Sequence, residues 1–136
     1  MIDSFRGEYR FLSNFYPAPM TWLGFLWPTA EHAYQASKTQ DMVSFTTISM
    51  LATPGQAKRM GRTIPIRLDW EYIKLDTMRE IVGEKFKQNQ ILMERLIETK
   101  PHELVEGNTW GDTFWGKCNG VGENYLGKIL MEIRDA

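Results

Sequence analysis

Four helix-start signals divide the middle of the chain: Thr29, Asp41, Thr53 and Asp69 each stand just before a run that suits a helix. A hydroxyl or carboxylate there accepts from backbone N–H groups that the first helical turn leaves without a partner. Thr29 is expected to open a helix reaching about Thr39 (TAEHAYQASKT), and Asp41 a second reaching about Leu51. Thr53 opens a third with Pro54 at its first position, and Gly61 suits a left-handed exit from it. After a connector over Thr63 to Leu68, Asp69 caps a long helix from Trp70 to about Lys87. Its Trp70, Ile73, Met78, Ile81 and Val82 recur near helical spacing, which makes it the expected central packing element.

The flanks are less regular. Gly7, Ser13-Asn14, Pro17 and Pro19 punctuate an irregular or short-strand opening, and Met20 to Leu23, Gly24, then Phe25 to Trp27 reads as a hairpin closed by Pro28. Beyond the long helix, Gln90 to about Glu98 is a shorter helix, and Glu103 to Glu106 a strand or helical turn. Gly107 to Asn119 is a Gly- and Trp-rich loop. A last helix from about Glu123 to Arg134 presents Leu126, Ile129, Leu130 and Ile133 as its apolar face. The expected fold class is α+β: a compact, mostly α-helical single domain over residues 1 to 136 with a small β-hairpin or sheet. At 136 residues, two independent cores would each be thin.

Composition narrows function. With 43% hydrophobic and 24% charged residues the chain is ordinary for a globular protein. A net charge of -1 argues against a broad cationic surface for non-specific nucleic-acid binding. The single cysteine, Cys118, has no intrachain disulfide partner, and MIDSFRGEYR lacks a secretory pattern, so a reducing cytoplasm is expected. No apolar run approaches the roughly 20 residues that cross a bilayer, so no membrane partner is expected. His32 and His102 lack partners at metal-ligand spacing; His32 reads as a helix-face residue, and neither a metal nor an organic cofactor is expected.

Three stretches carry candidate chemistry. At about 100° per residue, Glu31, Gln35 and Lys38 fall on one polar stripe, which is either a solvated helix face or one wall of a pocket. Asn108 to Gly116 sets Trp110, Asp112 and Trp115 in a loop, where the indoles either plug the core or meet a ligand. A carboxylate between aromatics is costly to bury without a task or partner. Asn119-Gly120-Val121-Gly122-Glu123-Asn124 runs into the last helix, as a phosphate-approaching turn or a plain one. Lys58, Arg59 and Arg62 cluster near a helix end, as a solvated face or a phosphate contact.

Read in order, these pieces resemble the NADAR (YbiA-like) family of N-glycosidases acting on nucleotide and ADP-ribose derivatives. The resemblance rests on Phe11-Leu12-Ser13-Asn14-Phe15-Tyr16-Pro17, on Trp27-Pro28-Thr29-Ala30-Glu31-His32-Ala33-Tyr34-Gln35-Ala36 with Lys38, and on Pro54 with Ala57-Lys58 and Gly61-Arg62. It continues through Trp70, Met78, Lys85-Phe86 and Gln88-Asn89, then Leu104-Val105-Glu106, Asp112, Trp115-Gly116, Gly122, Asn124, Leu126-Gly127 and Arg134. Lys117-Cys118 departs from the acidic or glycine-rich step frequent in the family.

The resemblance implies active-site roles for Glu31, Trp70, Asp112 and Trp115, with Lys38 a nucleophile in members that remove ADP-ribose from guanine. Asn14, Arg6, Gly7, Lys58, Gly116, Gly122 and Asn124 are further expected substrate contacts. Cleaving a C1–N bond builds positive charge on the sugar and needs a proton for the departing base, so Glu31 and Asp112 form the expected carboxylate pair. The implied substrates are ADP-ribosylated guanine, with single-stranded nucleic acid as a possible carrier, a free ADP-ribose conjugate, or an early riboflavin-pathway nucleotide. The other class of answer is a non-catalytic module that reads ADP-ribose or a nucleotide. The expected site lies between the first helix and the Trp110 to Gly116 loop, and the sequence sets no oligomeric state.

Overall fold

A computed structural model describes all of residues 1–136. The fold is α+β and mostly helical, as expected, and its backbone contacts group into two compact units: Asn14–Gln88, and Met1–Ser13 with Asn89–Ala136.

The Asn14–Gln88 unit holds the hairpin β1 (Met20–Trp22) and β2 (Phe25–Trp27), then α1 (Ala30–Ala36), α2 (Met42–Ser49), α3 (Pro54–Gly61) and α4 (Trp70–Gln88). The hairpin is antiparallel with Thr21 opposite Leu26, and Leu23 and Gly24 turn it at φ 52° and 79°. Positive φ at both turn positions matches the right-handed twist of the flanking strands. Trp27, fully buried, donates Nε1–H to the Trp22 carbonyl at 2.9 Å and meets the Phe45 ring edge-on at 5.1 Å. The Gln88 amide pairs with both backbone groups of Thr21 at 2.8 Å, tying the end of α4 to β1.

Local cap chemistry holds where it was expected for three helices. The Thr29 hydroxyl accepts from the His32 N–H, the Asp41 carboxylate from the Ser44 N–H, and Thr53 forms a reciprocal capping box with Gln56. Asp69 differs: its carboxylate is held by the Arg67 guanidinium at 2.6 and 3.1 Å. Two further expectations change. The first helix ends at Ala36 rather than Thr39, and it, not α4, is the enclosed centre of this unit. All seven of its residues are buried and it packs against α2, α3 and α4, whereas Ile73 of α4 is only half-buried. Gly61 is the last residue of α3, and Arg62 caps the helix in a right-handed conformation, so no left-handed exit exists. The glycine leaves room for the end of the Gln35 side chain, which a Cβ there would displace.

In the other unit, residues Gly7–Leu12 form a 3-10 turn where an irregular or short-strand opening was expected. α5 (Gln90–Glu98) packs on α6 (Tyr125–Asp135), and Leu96, Leu104, Ile129 and Leu130 are fully or almost fully buried. Leu104 forms a parallel bridge with Ile2. Two-residue strands β3 (Gly107–Asn108) and β4 (Lys117–Cys118) pair in parallel and bracket the Gly- and Trp-rich loop. Arg134, buried, donates to the His102 carbonyl at 2.6 Å and to the Thr99 hydroxyl.

Candidate active site

The Glu31/Gln35/Lys38 stripe is not a solvated face. Glu31 is 7% exposed and Gln35 3% exposed, and the Gln35 Nε2–H donates to the Glu31 Oε2 at 2.6 Å. A carboxylate accepts but does not donate, so this contact fixes the orientation of the Gln35 amide. The Glu31 N–H donates to the Asn14 carbonyl at 3.0 Å, joining the chain before the hairpin to the first turn of α1.

His32, expected on a helix face, is fully buried. Its Nε2 lies 3.0 Å from the Leu51 carbonyl, which only accepts, so Nε2 carries the proton and Nδ1 accepts from the Thr29 hydroxyl at 2.8 Å. The same hydroxyl oxygen accepts from the His32 N–H. The neutral ring thus links the start of α1 to the segment after α2, and burial pushes its pKa down against the raising effect of the Leu51 bond. This anchoring holds the turn that carries Glu31.

Lys38 follows α1 with its Nζ 5.3 Å from the Tyr34 ring centre, and its carbonyl accepts from the Arg67 N–H at 2.8 Å. Burial pushes the Lys38 ammonium pKa down. The Glu31 carboxylate opposes that shift, while Lys58, Arg62 and Lys74 add to it. A buried carboxylate, a lysine whose pKa is lowered by burial and three further cations therefore share this region. Lys58 Nζ lies 5.8 Å from the Phe15 ring centre. Trp70 is buried, with its ring 5.5 Å from that of Tyr34. The Asn14 amide donates to the Met78 sulfur at 3.4 Å, and its buried Oδ1 has no hydrogen-bond partner.

The other expected residues lie in the second unit. Asp112 Oδ1 accepts from the Phe114 and Trp115 N–H groups at 3.1 and 2.9 Å, and the Asn108 side chain pairs with both backbone groups of Asp112. The Asp112 carboxylate thus shapes its own loop. Trp115 is half-buried against Phe114 at 4.7 Å, and Trp110 is 58% exposed, so Trp110 does not plug a core. A Cβ at Gly116 would overlap Glu106, and one at Gly122 would overlap the Gly116 carbonyl, so both glycines permit close backbone approach. Asn124 is buried with its amide committed to the Leu104 carbonyl at 3.0 Å and the Glu106 N–H at 2.9 Å. Arg6 and Gly7 are exposed at the start of the 3-10 turn. An open cleft of about 480 Å³ in this unit is bordered by His102, Glu103, Lys117, Lys128 and Arg134.

Asn14, Glu31, Lys38, Lys58 and Trp70 therefore belong to one unit, and Arg6, Gly7, Asp112, Trp115, Gly116, Gly122 and Asn124 to the other. Gln35 at Glu31, and Tyr34 and Lys74 near Lys38, had not been singled out as site residues, and Arg62, also near Lys38, had been read only as one of a basic cluster. Gln35 had a signal, its place four residues after Glu31. No group of three His, Cys, Asp or Glu side chains is placed to hold a metal ion, and no helix is long and apolar enough to cross a membrane.

Comparison with known proteins decides the family. The family model for the NADAR domain matches residues 3–136. The chain belongs to the NADAR family. It is 40% identical over 131 residues to the N-glycosidase YbiA of Escherichia coli (strain K12), covering 94% of this chain and 81% of that one. An N-glycosidase of Nostoc punctiforme is 39% identical over 133 residues, covering 93% and 85%. A riboflavin biosynthesis protein of Vibrio vulnificus is 41% identical over 131 residues, covering 94% of this chain and 35% of that longer one. The solution structure of E. coli YbiA superimposes with a TM-score of 0.87 at 37% identity, covering 99% of this chain and 85% of that one. E. coli YbiA thus shares the fold described above.

Proposed function

We propose that this NADAR-family hydrolase of N-glycosyl compounds acts on the C1–N bond of a phosphorylated ribose nucleotide, with Glu31 stabilising the charge that develops on the sugar. The observation that carries the reading is the buried Glu31 carboxylate, held by Gln35 and near Lys38, whose own neighbours include Lys58, Arg62 and Lys74. Positive charge develops at C1 as the base departs, and a fixed carboxylate in a water-poor site stabilises it more than bulk water does. The surrounding cations suit the substrate's phosphate groups. A site that only reads an anionic ligand gains nothing from a carboxylate beside it, which favours the enzyme over the reader module.

Lys38 supplies a covalent variant. Its neutral amine attacks C1 of the ring-opened N-glycoside, the base nitrogen takes up a proton and leaves as the Lys38–C1 imine forms, and hydrolysis of that imine releases the sugar and restores the amine. In the direct variant, the C1–N bond breaks and water adds at C1, its proton passing to Glu31 while the base leaves protonated at its nitrogen. The Vibrio relative is named a riboflavin biosynthesis protein, and a phosphoribosyl pyrimidine nucleotide is the first substrate to test. ADP-ribosylated guanine presents the same C1–N bond and is the second substrate to test. Trp70 is the proposed aromatic contact of the base, and Asn14 Oδ1, an acceptor without a partner, a proposed contact of a sugar hydroxyl.

The test incubates the protein with a phosphoribosylamino-pyrimidine nucleotide and with an ADP-ribosylated guanine oligonucleotide, and follows base and sugar release by mass spectrometry. Release from either, abolished in Glu31→Ala, supports the glycosidase and names its substrate. Binding of intact nucleotide without release supports the reader instead.

A further inference from the structure

Gln35 is an expensive residue to place where it stands. Its side chain is almost completely enclosed, and its Oε1 has no hydrogen-bond partner. A buried amide oxygen without a donor is destabilising, and an apolar side chain of the same length would avoid that penalty. Folding alone therefore gives no reason for an amide here. Its other end does: the Nε2–H reaches the Glu31 Oε2 at 2.6 Å, four residues back along α1. Across the helix interface, a Cβ at Gly61 of α3 would overlap the Gln35 Oε1. The missing side chain at Gly61 makes the space in which the amide lies.

We propose that Gln35 is the positioning residue of Glu31, donating the hydrogen bond that orients its carboxylate and favours its ionised form, and that Gly61 is the spacer that holds Gln35 in that place. The proposal rests on the reading of Glu31 as the charge-stabilising carboxylate. It explains two features in different helices, the amide and the glycine that leaves room for it, by one requirement. The charged groups that share the region are Lys38 after α1, Lys58 and Arg62 from the end of α3, and Lys74 from α4. From α2, the packed side chains are the apolar Phe45 and Ile48. Hydrogen bonding to a charged form lowers a carboxyl pKa, so removing the donor raises it.

The experiment titrates the Glu31 carboxyl by carbon-13 NMR in wild type, Gln35→Met and Gly61→Ala, and measures turnover of whichever nucleotide is cleaved. Gln35→Met keeps the volume and removes the donor; Gly61→Ala leaves the amide in sequence but displaces it. Circular dichroism establishes that each is folded, and either folded variant is sufficient for the test. The Glu31 midpoint is expected to rise in Gln35→Met and to move in the same direction in Gly61→Ala. kcat is expected to fall roughly tenfold or more in Gln35→Met, with KM within about twofold, as for loss of a charged hydrogen bond used in the transition state. An unchanged midpoint in the folded variants overturns the proposal. The titration needs no substrate, so it separates the two claims. If Glu31→Gln retains turnover while the midpoint still moves, the catalytic reading of Glu31 fails and the Gln35–Glu31 linkage stands. If Glu31→Gln is inactive and Gln35→Met is unaffected, the positioning role fails alone.

Discussion

His32→Leu tests how α1 is held. The substitution keeps the side chain's bulk in a fully buried position and removes two contacts, the Nε2–H to the Leu51 carbonyl at 3.0 Å and the Thr29 hydroxyl to Nδ1 at 2.8 Å. The lost Thr29 hydrogen bond is worth about 1 kcal/mol net and the Leu51 carbonyl left without its donor costs about 1–3 kcal/mol, so the expected loss is about 2–4 kcal/mol. For a chain of this size that lowers Tm by roughly 6–16 °C, taking about 3–4 °C per kcal/mol. Urea and thermal unfolding at pH 8, followed by circular dichroism, measure it. Below pH 6.5 a second signature follows. The folded ring has a lowered pKa while the unfolded ring protonates near 6.5, so acidification adds a proton to the unfolded chain first and destabilises the fold. Wild type is expected to lose stability through that window and His32→Leu to lose this contribution. A variant within 0.5 kcal/mol of wild type, or with the same acid slope (a threshold of about the scatter for neutral surface changes), refutes the anchoring argument.

Other perturbations follow from the same geometry. Because burial lowers the Lys38 pKa, the neutral-amine fraction at a given pH exceeds that of a free lysine; borohydride is expected to trap substrate on Lys38 in the covalent variant, with activity rising as pH rises through the lowered pKa. No adduct, together with normal turnover in Lys38→Ala, eliminates that variant. Lys85, fully buried over the Phe86 ring at 5.1 Å, has its pKa pushed down to about 7 by burial. Between about pH 7 and 10.5 the unfolded chain then holds a proton the fold has released, so this group makes stability rise with pH, and Lys85→Met is expected to flatten the rise in urea melts. Asp112→Ala removes the acceptor of two loop N–H groups and is expected to cost about 1–2 kcal/mol, reduced for its partial exposure, with Asp112→Asn recovering most of it. Equal stability of Asp112→Ala and Asp112→Asn in thermal melts removes the loop-shaping role.

The helix starts at Thr29, Asp41 and Thr53 were legible because a cap is a contact within three residues, written in adjacent sequence. The hairpin was legible for the same reason. Burial of the Glu31–Gln35 pair was not, because periodicity places polar residues on one face without saying what covers it, and here α2, α3 and α4 surround the helix. Gly61 shows the limit clearly. At a helix end, a glycine reads as a left-handed cap, but its reason lies 26 positions away in the Gln35 side chain. Asp112 and Asn124 carry the signature of site residues in sequence, yet their hydrogen bonds to backbone in the 104 to 115 region organise that loop. Their polar character alone does not separate a loop-building role from a substrate contact.

The most direct test of the central claim is hydrolysis in oxygen-18 water, with wild type and Glu31→Gln compared on the nucleotide that is cleaved. The account expects wild type to release free base and a sugar carrying one heavy oxygen at C1, and Glu31→Gln, folded and still binding nucleotide, to release neither. Sugar release by Glu31→Gln at the wild-type rate, with the same heavy-oxygen incorporation, would contradict it.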